Sequence, residues 1–235
     1  MREVVTHLQP ARAIIVVSPH WETRVPTVGT ATRLETIHDF GGFDPRLFDI
    51  QYPATGCPEA AAQVVAALQA ASIPVETDAQ RGLDHGAWVP LRHMLPDADV
   101  PIVPLSVQHH GGPAHAYRVA QALAPLAAQG HWVVASGNIT HSLRDWQLIS
   151  MRGGGTPAYV QHFADWIHEH TLAHDIAALL DYRAREATGR QAHPRDEHLL
   201  PLFTAIGAAG EDAQAQAFFR GISDHVIAMD GYSFH

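Results

Sequence analysis

The segment Pro10-Ala-Arg-Ala-Ile-Ile-Val-Val-Ser-Pro-His20 says most about the fold of this chain. Its apolar run from Ala11 to Val17 is rich in isoleucine and valine and is bounded by prolines, which is typical of a short strand buried on both faces. His20 comes just beyond the carboxyl end of that run. The stretch therefore predicts a buried strand that is followed closely by a histidine.

Strands and helices alternate outward from this strand. An alanine-rich stretch that begins at Pro58 predicts a helix with proline in its first turn, and a strand should follow near residues 73–77. The next expected elements are a buried strand over 100–107, a helix over 113–129 closed by Gly130, and a third strand over 132–136. This order is typical of an α/β fold.

The last third of the chain reads as mainly helical. A helical region should run from 156 to about 186, and the segment from Pro194 should open a helix with His198 in its first turn. Two short strands within 218–234 should close the edge of the sheet. We therefore expect a single α/β domain with a central mixed or parallel sheet flanked by helices. Its active site should lie at the carboxyl ends of the strands, where the loops converge.

Composition limits the classes of function. The 235 residues are 46% hydrophobic, which is enough for one substantial core. The formal charge of -9 argues against a nucleic-acid partner, because phosphate binding needs a concentrated basic surface. The sequence has no membrane-spanning stretch and no secretory signal, and Cys57 is its single cysteine, so we expect a cytoplasmic protein with no intrachain disulfide.

Four histidines stand out, because each lies in a polar turn, marked by glycine or proline, at the edge of a predicted element. They are His20, His85, His141 and His198. Neutral imidazole binds iron or zinc and also transfers protons near neutral pH, so histidines that converge on one cleft indicate a metal-dependent enzyme. A single histidine in a turn is more often only hydrogen bonded or solvated.

Other chemistries lack their usual signals. The sequence has no G-x-S-x-G around a serine, no P-loop and no G-x-G-x-x-G after a strand. His170 and His174 have the spacing of a zinc-binding helix, but no glutamate follows His170 as in H-E-x-x-H. These two histidines therefore fit a solvated helix face.

Seven motifs, taken together in order, resemble one family. They are Ser18-Pro-His-Trp-Glu-Thr, Ile37-His-Asp-Phe-Gly-Gly-Phe, Tyr52-Pro-Ala, Gly82-Leu-Asp-His-Gly-Ala-Trp, Pro104-Leu-Ser, Ala135-Ser-Gly-Asn-Ile-Thr-His and Glu197-His-Leu-Leu-Pro-Leu. This set is similar to the class III extradiol ring-cleavage dioxygenases of the LigB superfamily, in the branch related to DOPA 4,5-dioxygenase. The similarity extends over nearly the whole chain.

The resemblance implies a non-haem Fe(II) site, with zinc also found in this branch, that binds a catechol and O2 and cleaves the ring beside the diol. It implies that His20 and His198 are metal ligands and that His141 is the base that takes a catechol proton. His85 would be a proton donor or a substrate contact, and a structural hydrogen bond within its turn is an equal alternative. From their positions in the sequence, His38 and His115 are further candidates for lining the substrate pocket. An equal alternative for His38 is to order its loop, and the favoured alternative for His115 is a surface position.

One expected motif is missing. Family members usually carry a strand that ends in His-Gly-Ser-Pro upstream of the first motif, and its histidine is a metal ligand. His7 does not replace it, because no Gly-Ser-Pro follows it. We expect residues 1–235 to be one catalytic domain without this strand, either because the sequence is a fragment, which we favour, or because it is a short form with an altered site. Oligomerisation could cover the sheet edge that a missing strand would expose.

Two other functions remain open. A zinc-dependent hydrolase would use His141 as the base for a water that attacks a carbonyl. A truncated, non-catalytic remnant of a dioxygenase would only bind small aromatic molecules, in the cleft that once held the substrate. Ring opening of a catechol under O2 would separate the dioxygenase from both.

Overall fold

The apolar run that ends at Val17 forms β1 (Ile14–Glu22), an internal strand of a five-stranded sheet. The structure is a computed structural model that describes residues 5–6 and 8–235, so His7 lies outside the described residues. The other strands are β2 (Thr27–Gly29), β3 (Glu76–Asp78), β4 (Ile102–Val107) and β5 (Trp132–Ala135). Their order is β3-β2-β4-β1-β5. Because β1 pairs in parallel with β4 and β5 whereas β2 pairs antiparallel with β4, the sheet is mixed, which is one of the two sheet types that the sequence leaves open.

Alternate side chains of β1 enter two different cores. Ile15 and Val17 belong to the larger apolar cluster, and Ile14 and Val16 to the smaller one. All four are at most 1% exposed. Successive side chains of a strand point to opposite faces of the sheet, so both faces of β1 must be covered.

Helices provide that cover on both faces. The α-helices that follow β1 are α1 (Pro58–Ala70), α2 (His85–Met94), α3 (Gly112–Gln121), α4 (Ala124–Ala128), α5 (Leu143–Arg152), α6 (Ala158–Leu172), α7 (Ile176–Leu180), α8 (Tyr182–Arg185), α9 (Gly189–Ala192) and α10 (Leu200–Ala209). Side chains of α1, α3, α6 and α10 join the larger cluster, and those of α2 join the smaller one. Within residues 5–6 and 8–235, every helix falls short of the length and apolarity needed to cross a membrane. The prediction of a single α/β domain with a central sheet flanked by helices is confirmed.

Two predicted helical regions are divided in the structure. The helix expected over 113–129 is interrupted between α3 and α4, because Pro125 in the first turn of α4 has no N–H to donate and its ring clashes with the preceding turn. The region expected to run to about 186 contains α6, α7 and α8. His174, two residues after the end of α6, has a φ of 52°. This is the left-handed conformation, through which a right-handed helix does not continue.

Among residues 5–6 and 8–235, the C-terminal strands pair with each other and not with the five-stranded sheet, so the prediction that they close the edge of the main sheet is wrong. Ala228 O accepts from Ile139 N at 2.9 Å, in the loop that follows β5, and this contact holds the segment against that loop rather than along β5 itself. The antiparallel pairs are β6 (Ala215–Phe219) with β9 (Gly231–Phe234), and β7 (Ile222–Ser223) with β8 (Ile227–Ala228).

Two element boundaries also differ from the sequence prediction. β3 lies at the carboxyl end of the segment predicted as a strand and runs one residue past it. α10 begins at Leu200, so His198 lies in the turn just before the helix and not in its first turn. In that turn, Asp196 O accepts from Leu199 N and Leu200 N at 2.8 and 3.0 Å. These bonds fix the turn that carries His198.

A buried histidine supports the same region. His193 is 0% exposed, and its Nε2 lies 2.8 Å from Ile139 O in the loop after β5. Burial lowers the pKa of His193 from 6.5 to about 4, against a smaller opposing effect of the bond to Ile139. Since the folded protein holds this ring neutral, its protonation opposes folding.

We expect the free energy of unfolding of the metal-free protein to fall as the pH is lowered from 6.5 toward 4. Between these pH values the unfolded chain protonates His193 more readily than the folded protein does. The stability that the folded protein gains from holding His193 neutral is therefore complete above pH 6.5 and is lost as the pH falls toward 4. One pKa unit corresponds to about 1.4 kcal/mol, so the total loss is on the order of 3 kcal/mol.

Urea unfolding of the wild type and of His193→Gln across this interval would test the expectation. The variant should depend less on pH, because glutamine retains an amide donor without acquiring a charge. His93→Gln, at an exposed position of α2, is the matched control and should behave like the wild type. Equal pH dependence of His193→Gln and the wild type would contradict the assignment.

Candidate active site

Four histidine rings meet near the carboxyl ends of β1 and β5. The ring centroid of His20 lies 4.1 Å from that of His85 and 5.2 Å from that of His198. His141 stacks on His198 with centroids 3.5 Å apart and ring planes 11° apart. The fold thus brings together the histidines that the sequence singles out, although they come from widely separated parts of the chain.

His20 follows a local break in the strand pairing. The parallel register of β1 with β4 is irregular between Val17 and Glu22. Pro19 lies in this interval and has no N–H to give to a neighbouring strand. His20 N instead donates to Ser18 Oγ at 3.3 Å. The irregular segment of β1 around His20 is therefore held by a side-chain contact, and the pairing of β1 with β4 resumes at Glu22.

A buried polar link joins this strand end to α2. Ser18 Oγ donates to Asp84 Oδ1 at 2.5 Å, and Arg81 Nη2 donates to Asp84 Oδ2 at 2.5 Å. Asp84 is 3% exposed, and it also caps α2 by accepting a backbone N–H of the first turn. A carboxylate is favoured at this end of a helix. The link places His85, the first residue of α2, beside His20.

Gly86 allows α2 to approach the strand end this closely. A Cβ at Gly86 would lie 2.4 Å from Ser18 Oγ and 2.8 Å from His20 Cδ2. Both distances are shorter than nonbonded atoms tolerate, so a larger residue would push the histidine away. The glycine of this motif therefore serves the packing of His20.

The loop after β5 carries His141 and is fixed on two sides. Thr140 Oγ1 donates to Val226 O and accepts from Ala228 N, both at 2.8 Å. His141 N donates to Ala192 O at 2.9 Å. The separate C-terminal strands therefore hold in place a loop of the candidate site.

The turn of His198 approaches the same loop through a glycine. Asn138 N donates to His198 O at 2.8 Å. A Cβ at Gly137 would lie 2.3 Å from the same oxygen. This close backbone approach is what allows the rings of His141 and His198 to stack.

Two carboxylates lie against the histidine rings. Asp39 Oδ1 accepts from His85 N at 2.8 Å and lies 2.9 Å from His85 Nδ1, and Asp39 Oδ2 lies 3.4 Å from His20 Nδ1. Glu197 Oε1 lies 3.1 Å from His198 Nδ1. Sequence reasoning did not assign either carboxylate to the site. The sequence signal that could have identified them is an acidic residue directly beside a histidine, as in His38-Asp39 and Glu197-His198.

Burial sets the charge state of the cluster. Burial, followed by the neighbouring His198 ring, lowers the pKa of His141 to about 3. Burial likewise lowers the pKa of His20. Burial raises the pKa of Glu197, but the hydrogen bond from His198 and other contacts outweigh it, and the pKa falls to about 2. At neutral pH His141 is therefore an unprotonated base and Glu197 an anion.

The donor set suits a divalent transition metal. Imidazole nitrogens and carboxylate oxygens are ligands that both non-haem iron and zinc accept. In each of two groups the candidate ligand atoms lie within 4.8 Å of one another. The groups are His20, Asp39 and His85, and His141, Glu197 and His198. The residues present therefore fit the metal that the sequence resemblance implies.

His38 and His115 lie outside the cluster of four rings. His38 Nε2 lies 2.9 Å from Ile50 O, and its ring centroid is 5.8 Å from that of Trp88. His115 lies in α3 with its ring over Gly111. Across the described part of the chain, no ring contact joins either residue to the four clustered histidines. Their role in lining a substrate pocket stays a prediction.

An aromatic loop lies beside His85 and was not singled out from the sequence. The ring of Phe40 meets His85 edge-on at 5.6 Å, and it lies 5.0 Å from Phe48 and 5.9 Å from Phe43. Phe43 is 63% exposed. Apolar rings next to polar side chains that could hold a metal form a surface suited to a flat aromatic ligand.

Comparison with known proteins agrees with this geometry. The family described as "Catalytic LigB subunit of aromatic ring-opening dioxygenase" matches residues 1–232. The chain is 37% identical to a 4,5-DOPA dioxygenase extradiol of Beta vulgaris over 99% of this chain and 86% of the relative. It is 38% identical to a protein of the same name from Escherichia coli K12 over 84% of this chain and 72% of that protein.

A solved structure shares the fold. The crystal structure of an uncharacterized protein from Escherichia coli K12 matches with a TM-score of 0.81 and 30% identity, covering 98% of this chain and 89% of that one. The order of the motifs, the clustered histidines and these similarities agree. The chain belongs to the LigB family of aromatic ring-opening dioxygenase catalytic subunits.

Proposed function

We propose that this protein is an extradiol dioxygenase that opens the ring of a DOPA-like catechol with O2 at an Fe(II) site. The observation that carries the proposal is the neutral, half-buried His141 stacked on His198 within a cluster of metal-type ligands. The names of the relatives from Beta vulgaris and Escherichia coli support the choice of DOPA as the first substrate to test.

His20 and His198 would hold the metal through ring nitrogens. Each has a carboxylate within 3.4 Å of its Nδ1, which leaves Nε2 as the nitrogen available to a metal. Iron(II), when bound, would supply open coordination positions and a route by which electrons of the catechol reach O2. Zinc fits the same ligands but has no redox chemistry.

His141 is the proposed base. The ring is neutral at physiological pH because burial lowers its pKa, so a ring nitrogen can accept a hydroxyl proton from the catechol. His85, which lies at the amino end of α2 and beside His20, would donate a hydrogen bond or a proton to the substrate. Phe40 would pack against the apolar part of the substrate.

The overall reaction needs no further reductant. The carbon–carbon bond next to the diol breaks, and both atoms of O2 enter the ring-opened product. The protein residues have to bind the catechol, remove its proton and keep the ring aligned.

We propose that residues 1–235 act as one catalytic domain on the catechol and O2. The single cysteine, Cys57, supports a cytoplasmic location.

We expect protein reconstituted anaerobically with Fe(II) to consume one O2 per catechol and to form a yellow product from L-DOPA. An oxygen electrode and a visible spectrophotometer measure both quantities in one sample. Tyrosine, which lacks the second hydroxyl, is the matched substrate control and should give no uptake. Absence of O2 uptake with every catechol in a panel, despite stoichiometric iron, would contradict the proposal and favour the zinc hydrolase or a protein that only binds aromatics.

Replacement of His141 by phenylalanine should lower kcat by about 10²- to 10⁴-fold, the usual contribution of a positioned base. Phenylalanine retains a flat ring that can stack on His198 but has no nitrogen to accept a proton. Bound iron should stay at the wild-type level, as measured by elemental analysis. His110→Ala, at an exposed position, is the control and should retain full activity. Unchanged kcat in His141→Phe would rule out this role.

Separate replacement of His20 and His198 by alanine should weaken metal binding more than about 100-fold, which exceeds the usual effect of outer partners of a metal ligand. Competition with a coloured chelator measures the affinity directly, without turnover. His93→Ala, at an exposed site in α2, provides the control. Wild-type affinity in either variant would remove that histidine from the ligand set.

A further inference from the structure

Asp39 is the one described residue that contacts two of the clustered histidines through the two oxygens of a single side chain. Its Oδ1 accepts from His85 N at 2.8 Å and lies 2.9 Å from His85 Nδ1. Its Oδ2 lies 3.4 Å from His20 Nδ1. The side chains of Asp39 and His20 are 25% and 26% exposed, so the contact is partly shielded from water.

The loop that carries Asp39 is anchored independently of the histidines. Ile37 N donates to Leu83 O at 2.8 Å, and Trp88 Nε1 donates to Ile37 O at 3.0 Å. His38 Nε2 lies 2.9 Å from Ile50 O on the returning segment. The loop next to Asp39 is therefore held at Ile37 and His38 by contacts that do not involve His20 or His85.

This contact selects one nitrogen of each ring. A neutral imidazole has one N–H, and a carboxylate beside Nδ1 favours the tautomer with the hydrogen there. The lone pair then lies on Nε2. The opposite edge of His20 packs over Gly86, because a Cβ there would lie 2.8 Å from His20 Cδ2. His20 is thus confined between Asp39 and Gly86.

The other half of the cluster has a similar arrangement. Glu197 Oε1 lies 3.1 Å from His198 Nδ1. One carboxylate therefore faces Nδ1 of each proposed histidine ligand. The difference is that Asp39 also faces His85, which the proposed reaction uses for the substrate rather than for the metal.

We propose that Asp39 is a positioning residue that sets the tautomer and ring orientation of His20 and His85 together, and thereby couples metal binding to the placement of the substrate-facing histidine. This inference rests on the proposed function, because it takes His20 as a metal ligand. It assigns no ligand role to Asp39. The carboxylate acts through the two imidazoles.

Cobalt(II) is a suitable probe, because its visible spectrum reports the ligands of the metal without turnover. Asp39→Ala removes the carboxylate and should weaken Co(II) binding about 10- to 100-fold, the range typical of outer partners of metal-binding histidines. Asp39→Asn retains an oxygen that can accept from Nδ1–H but loses the charge, so its affinity should be intermediate. Both variants, once saturated with Co(II), should show the wild-type band positions.

Asp44→Ala is the matched control. Asp44 lies in the same loop, but its carboxylate bonds to Arg46 at an exposed position, and it should bind Co(II) like the wild type. Thermal unfolding of the metal-free variants checks that each is folded. If Asp39→Ala fails to fold, the comparison of Asp39→Asn with the control still decides the question.

The outcomes separate this inference from the proposed function. A wild type that binds no Co(II) would overturn both. Wild-type affinity in Asp39→Ala or in folded Asp39→Asn would overturn the positioning role alone. A changed band pattern in Asp39→Asn would show that the carboxylate is itself a ligand and would also overturn it. Weaker binding with unchanged bands would support it.

Discussion

The hydrogen bond from Ser18 Oγ to Asp84 Oδ1 is the contact on which the candidate site depends most. Asp84 is buried, paired with Arg81 and placed at the start of α2, so it joins a central strand to a helix end at one point. A buried carboxylate is tolerated only when such partners compensate for the lost water. Because His20 and His85 flank this link in the sequence, the contact that stabilises the packing also brings the two rings together.

The other half of the site depends on close backbone approach. Gly137 lets the turn of His198 touch the loop after β5, and Thr140 attaches that loop to the C-terminal strands. The C-terminal strands, which do not extend the main sheet, thus support the loop of the candidate site. They hold His141 in place at a point where the loop has left the sheet and has no ladder bonds of its own.

Much of the architecture could be predicted from local pattern. The run from Ala11 to Val17 predicts a buried strand because its apolar residues show no polar alternation, and the structure confirms that both faces are covered. The helix boundaries were less accurate. Pro125 divides one predicted helix, and the apolar periodicity on both sides of it hides that break. The pairing of the C-terminal strands depends on distant partners, which a local pattern does not specify.

Residue types at short spacing are enough to predict the α/β class, the family resemblance and the four candidate histidines. The folded chain is needed to show that these rings meet, that the ring of His141 is neutral and that Asp39 contacts both His20 and His85. The physical reason is that burial and hydrogen bonding arise between segments far apart in the chain. A carboxylate acquires such a role only when folding places it against a ring nitrogen.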